Sequence, residues 1–67
     1  REDSPLAIAR TRLGMSQAEL ARVARVGRNT VWRIEAGRVR VPHRTTQAVL
    51  AMALEVPADE LFPERPA

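Results

Sequence analysis

Four side chains between positions 28 and 33 have the types and spacing needed to read the edges of DNA bases. They are Arg28, Asn29, Trp32 and Arg33. Residues three and four positions apart share one face of a helix, so a helix over this stretch would present all four together. In the major groove arginine can bind guanine, asparagine can bind adenine, and an apolar side chain can lie against a thymine methyl group. The pattern predicts that these residues contact bases. For Trp32, a contact with the sugar-phosphate wall of the groove is the alternative.

The stretch 16–35 is predicted to hold this face in position as two short helices joined by a tight turn. Ser16 and Glu19 have the spacing of a capping box, in which each side chain accepts a hydrogen bond from the other residue's backbone N–H. The inward-facing apolar positions of the two helices are Leu20, Ala21, Ala24, Val31 and Ile34. Helices this short bury too little surface to be stable alone, so they must pack on further helices.

Three further helices are predicted around this pair. The first begins at Ser4 and Pro5, because serine is a favoured N-cap and proline is favoured at the first helical position. The fourth covers 45–54 and a short fifth covers 58–62. The predicted fold is therefore all-α, a compact five-helix DNA-binding domain over 1–62, followed by a flexible tail or linker over 63–67.

The charge of the chain is unevenly distributed. Residues 10–44 contain nine arginines and two glutamates, a net charge of +7, whereas residues 45–67 carry a net charge of −3. A basic two-thirds followed by an acidic end favours binding of a polyanion on one side of the molecule. From the charge alone, a solvated arginine-rich face is the alternative interpretation.

The segment 38–44 contains four further basic side chains. Its alternation of arginine and valine is compatible with an edge strand, but so short a strand has no partner in the chain, so a loop is predicted. Arginine suits the geometry of phosphate groups, which favours contacts to a DNA backbone over a merely soluble loop. The predicted phosphate contacts are Thr30, Arg38, Arg40, His43 and Arg44.

The sequence resembles the helix-turn-helix domains of the phage repressor and Cro type, an XRE-like family widespread in bacterial regulators. The resemblance covers about residues 6–62 and is carried by the segments 14–17 (GMSQ), 33–37 (RIEAG) and 54–62 (LEVPADELF), together with the apolar positions of 20–34. It implies that helices 2 and 3 form the helix-turn-helix. It also implies sequence-specific binding of double-stranded DNA by a bacterial or phage transcriptional regulator.

Three positions depart from the family pattern. Arg25 stands where the turn usually has glycine, Gly27 where a serine or threonine usually caps the next helix, and Glu55 where a second glycine is frequent. Arg25 and Glu55 are therefore expected to adopt positive φ at some energetic cost.

The resemblance also implies roles for three polar residues. Arg10 is expected to pair with Glu35 beneath the third helix, and Gln17 is expected to contact a phosphate from the first helical position. An unpaired, exposed arginine is the alternative for Arg10. A protein-interaction module that docks a partner through Trp32 is the alternative function, since exposed tryptophans often anchor interfaces.

Dimerisation is predicted from the fourth helix, whose residues 48–54 are all apolar. Leu50, Ala51 and Leu54 would face the core, which leaves an apolar outer face that must be covered. The predicted dimer surface contains Val49, Met52, Val56 and Phe62. A homodimer would suit a palindromic operator, whereas a chain end folding back through Phe62 is the intramolecular alternative.

Other classes of function are not supported by the residues. Ser4, Ser16, His43 and Asp59 are scattered without a catalytic constellation, so no enzyme activity is predicted. With no cysteine and one histidine, neither a metal site nor a cofactor is expected, and no segment is predicted to enter a membrane. The expected location is the bacterial cytoplasm, at the nucleoid when bound, and an effector domain after residue 67 stays possible.

Overall fold

The structure, a computed structural model, describes residues 4–63. Within this part of the chain there are five helices and no strand. They are α1 (Pro5–Arg12), α2 (Gln17–Ala24), α3 (Arg28–Glu35), α4 (Arg44–Leu54) and α5 (Ala58–Leu61). The all-α, five-helix prediction is confirmed, and 38–41 is a loop. Of the predicted tail only Pro63 lies within the described residues.

The starts of the first two helices follow from their caps. Ser4 Oγ accepts a hydrogen bond from the N–H of Ala7 at 3.1 Å. Ser16 Oγ accepts one from the N–H of Glu19 at 3.0 Å, while Glu19 Oε1 accepts one from the N–H of Ser16 at 2.8 Å. The predicted capping box is thus complete, and it satisfies two N–H groups that have no partner inside a helix.

Two helices end in a left-handed residue that is not glycine. Arg25 closes α2 with φ 60° and Glu55 closes α4 with φ 58°, as the departures from the family pattern predict. In each case the next N–H returns to the helix: Val26 donates to the carbonyl of Ala21 and Val56 to that of Ala51. The left-handed conformation costs about 1–2 kcal/mol for a residue with a Cβ, so both turns reduce the net stability.

The core lies where the inner faces of the helices meet. Among the described residues, its buried apolar side chains are Leu6, Leu20, Ala21, Ala24, Val31, Ile34, Leu50, Leu54, Leu61 and Phe62. Helix α2 contacts both α3 and α4, and α5 closes the domain against α4 and α1. Since Val31 and Ile34 anchor α3 from below, its opposite face must point outward.

The position of Phe62 corrects one element of the predicted dimer surface. Its side chain is only 4% exposed and belongs to the core of the same chain. The N–H of Phe62 donates to the carbonyl of Ala58 at 2.8 Å, a helical hydrogen bond that ties this residue to the end of α5. A phenyl ring has a large apolar surface, and burying it here against neighbours that include Leu6 and Leu61 leaves it unavailable to a second copy.

Replacing Arg25 with glycine is expected to raise the free energy of unfolding by about 0.5–1 kcal/mol, because the steric cost at positive φ exceeds the extra backbone entropy lost by glycine. The matched control is Arg22→Gly, which removes the same charge from a helical position in the last turn of α2 and should lower this free energy by about 1 kcal/mol. Urea denaturation followed by circular dichroism measures both values. Equal destabilisation by the two variants would contradict a strained turn at Arg25.

Candidate nucleic-acid interface

An ion pair beneath α3 connects the recognition region to the first helix. Arg10 Nε donates to Glu35 Oε2 at 2.7 Å, and Arg10 Nη2 donates to Glu35 Oε1 at 2.9 Å. Only 14% of the Arg10 side chain and 8% of the Glu35 side chain are exposed. This two-point contact fixes the relative orientation of α1 and α3 more sharply than a single hydrogen bond would.

Two further hydrogen bonds extend this pair into a small network. Arg10 Nη1 donates to the carbonyl oxygen of Met15 at 2.7 Å, in the turn before α2. Gln17 Nε2, at the start of α2, donates to Glu35 Oε1 at 2.9 Å. The carboxylate of Glu35 therefore accepts three hydrogen bonds, and the network links α1, the start of α2 and the end of α3.

Gln17 illustrates what the sequence pattern did not reveal. The resemblance suggested a phosphate contact, but no spacing rule indicated that its amide also reaches a residue 18 positions away. The bond to Glu35 uses one amide N–H and holds the side chain in place. The second amide N–H and the backbone N–H at the first helical position are not used by that bond, so a phosphate contact is compatible with it.

The outer face of α3 presents all four side chains predicted to contact bases. Arg28, Asn29 and Arg33 are exposed, and 45% of Trp32 is exposed. A polar cleft of about 170 Å³ between α2 and α3 is lined by Gln17, Arg28, Asn29 and Trp32. The start of α2 and the outer face of α3 therefore form one continuous surface.

Arg38 lies against this surface instead of standing apart from it. Its guanidinium carbon is 5.5 Å from the centroid of the Trp32 ring, within the range of a cation–π interaction. Charge and position predict a phosphate contact for Arg38 and a base contact for Trp32, but nothing in the sequence indicated that the two side chains meet. Gly37 is typical of a left-handed residue that ends a helix, and it has φ 82° here. What the sequence did not indicate is that this turn brings Arg38 back to α3.

The other residues predicted to contact phosphates lie at three places. Arg40 is exposed in the loop after α3, whereas His43 and Arg44 are exposed at the start of α4. Thr30 is half-buried in the first turn of α3. Gln47 Nε2 donates to the carbonyl of Pro42 at 2.8 Å, and this bond ties the end of the loop to α4.

The predicted dimer residues form only part of an exposed apolar surface. Met52 is 78% exposed, whereas Val49 and Val56 are half-buried against the core. Val23 of α2, which the sequence analysis did not include, is also exposed, and a cavity of about 350 Å³ lies between it, Val49 and Met52. Val23 was detectable as an apolar residue on the outer arc of its helix. Its position extends the apolar surface from α4 to α2.

A model of the helix-turn-helix domain family matches residues 5–62. This family is of the Cro type of DNA-binding domains. The matched span runs from the start of α1 to Phe62 and includes all the candidate site residues. No curated protein matches the chain. In residues 4–63, no helix is long and apolar enough to cross a membrane.

Replacing Glu35 with alanine is expected to lower the free energy of unfolding by about 3 kcal/mol, because the mostly buried guanidinium of Arg10 would lose the two charge-assisted hydrogen bonds that it makes to this carboxylate. The control is the double variant Arg10→Met with Glu35→Leu, which replaces both charges by apolar side chains of similar size. It should be more stable than Glu35→Ala. Urea denaturation compares the three proteins. If the double variant is no more stable, lost packing explains the effect and loss of this ion pair does not.

Proposed function

Since the chain belongs to the family of helix-turn-helix domains, we propose that it binds double-stranded DNA in a sequence-specific way and regulates transcription. The observation that carries this proposal is the outer face of α3, where Arg28, Asn29, Trp32 and Arg33 are exposed together. The inner face of the same helix is buried, so the polar side chains have no role in packing. Their hydrogen-bonding groups match those of base edges in the major groove.

Phosphate contacts on both sides of α3 would hold this helix in the groove. Gln17 would contribute from the start of α2, where a helix N-terminus favours an anion. The other proposed contacts are Thr30, Arg40, His43 and Arg44. Charge and position also predict a phosphate contact for Arg38, whose guanidinium lies over the ring of Trp32. The net charge of +7 over 10–44 supplies the long-range attraction to DNA.

A protein-interaction surface around Trp32 is the weaker alternative. Arg28 lines the same cleft as Trp32 and Arg38 lies over its ring, and positive charge at this place favours a polyanion over an apolar partner. Salt dependence separates the two functions. Binding to DNA should weaken steeply as salt rises, because contacts to phosphates release bound counterions.

Binding as a homodimer would let the domain read a palindromic operator. Val49 and Met52 are the proposed centre of the contact, with Val56 at its edge and Val23 added by the structure. Each copy would then place one α3 in successive turns of the major groove. The proposed setting is a bacterial or phage regulator that acts at the nucleoid.

Arg33→Ala and Arg40→Ala should weaken DNA binding in different ways. Loss of Arg33 should cost about 1–3 kcal/mol and relax the base preference at one or two positions. Loss of Arg40 removes the same charge, but it should weaken all duplexes alike and reduce the salt slope by about one. The measurement is selection of duplexes from a random library, followed by titrations at several salt concentrations. A changed base preference in Arg40→Ala, or an unchanged one in Arg33→Ala, would contradict these roles.

The double variant Val49→Glu with Met52→Glu should retain its helical content but bind a palindromic duplex more weakly, because the new charges would repel each other across the dimer contact. Ile8→Glu with Leu13→Glu is the matched control, since it places the same two charges at exposed apolar residues in α1 and at its C-terminal end. Light scattering measures the oligomeric state with and without DNA. A wild-type protein that is monomeric in both conditions rules out the dimer.

A further inference from the structure

The backbone between Trp32 and Arg38 follows a defined helix-ending motif. The N–H of Gly37 donates to the carbonyl of Ile34 at 3.1 Å, and the N–H of Arg38 donates to that of Arg33 at 2.9 Å. With Gly37 at φ 82°, these bonds form a Schellman motif. The motif reverses the chain just after α3. It therefore holds the backbone of Arg38 at a fixed position beside the last turns of the recognition helix.

The side chains of Arg38 and Trp32 contact each other because their backbones are close. The guanidinium of Arg38 lies over the Trp32 ring at 5.5 Å from its centroid, while 45% of Trp32 remains exposed. An arginine that stacks on a ring restricts the rotamers of both side chains. A cation over one face of an indole ring leaves the other face and the edge of the ring free of that contact. The ring is therefore covered by Arg38 on one part of its surface and open to a ligand on another.

We propose that Arg38 is a positioning residue for Trp32, and that the stacked pair recognises the methyl group of a thymine in the major groove. Arg38 would then contribute to base preference through the orientation of the indole ring, and not as an independent phosphate contact. The proposal rests on the proposed DNA-binding function. It gives Arg38 a role in base preference, which the charge of this residue alone does not indicate.

The chemistry of the pair favours thymine among the four bases. The C5-methyl of thymine is the apolar group that distinguishes a base pair in the major groove, and a flat apolar ring can cover it. Covering one methyl group corresponds to about a fourfold preference over a base that lacks it. An indole free to change rotamer would make this contact only part of the time. The cation–π interaction with Arg38 is expected to contribute about two- to fivefold to the population of the competent rotamer.

A first experiment tests the positioning role in the free protein. Trp32 is the only tryptophan and there is no tyrosine, so its fluorescence reports on this ring alone. Quenching by acrylamide, which is neutral, is not affected by the charge of the variants. Arg38→Ala should raise the quenching constant, whereas Arg40→Ala, which removes the same charge two residues away, should leave it unchanged. Equal quenching of wild type and Arg38→Ala would overturn the positioning role.

A second experiment tests recognition of the methyl group. Each thymine of a duplex selected by the wild-type protein is replaced in turn by uracil, which lacks only that methyl group. At one position the wild type should prefer thymine about fourfold. Arg38→Ala and Trp32→Ala should each reduce this ratio, and Arg38→Ala should not reduce it further in the Trp32→Ala background. Arg40→Ala should weaken binding to both duplexes and leave their ratio unchanged.

The possible failures are distinguishable. If no duplex is bound in a salt-dependent way, the proposed function itself fails, and this inference fails with it. If duplexes are bound normally but the thymine-to-uracil ratio is the same in wild type and Arg38→Ala, only the role of Arg38 is overturned. Independent effects of Arg38→Ala and Trp32→Ala on the ratio would also overturn it, because a positioning residue acts only through the side chain that it positions.

Discussion

The contact between Arg10 and Glu35 sets the direction in which α3 presents its outer face. Removing two charges from water offsets much of their mutual attraction, so this pair specifies geometry more than it adds net stability. The bond from Arg10 to the Met15 carbonyl also fixes the position of the turn before α2. The bond from Gln17 to Glu35 fixes the start of α2 relative to α3. Three helices are thereby oriented around one carboxylate.

The two faces of α3 differ in burial. Val31 and Ile34 are buried and attach the helix to the core, while the side chains of the opposite face, which is proposed to contact bases, are exposed. The helix has no side-chain cap at Gly27, and its stability therefore depends on tertiary packing more than on its own ends. The Schellman motif at Gly37 then fixes the following loop to the same rigid unit.

Local features of this fold were predictable, because their causes lie within a few residues. The capping box at Ser16 depends on neighbours along the chain, and the helical period separates the two faces of α3. The positive φ values of Arg25 and Glu55 were expected because the family that the sequence resembles often has glycine at these positions. The contacts of Gln17 with Glu35 and of Arg38 with Trp32 depend on how helices and loops meet in space. For Phe62 the apolar side chain suits either the core or a partner surface, and only the packing of α5 in space, which buries the ring, distinguishes the two.

The small core has a thermal consequence. At about 0.7 kcal/mol per residue, unfolding a chain of 67 residues absorbs only about 45 kcal/mol, so melting spreads over roughly 20 °C. For a domain of this size, a change of 1 kcal/mol moves the melting temperature by about 4–8 °C. The folded fraction therefore declines gradually on warming instead of collapsing at one temperature. Any ligand that binds only the folded form raises the melting temperature by mass action. Binding of the ligand and folding of the domain therefore stabilise each other.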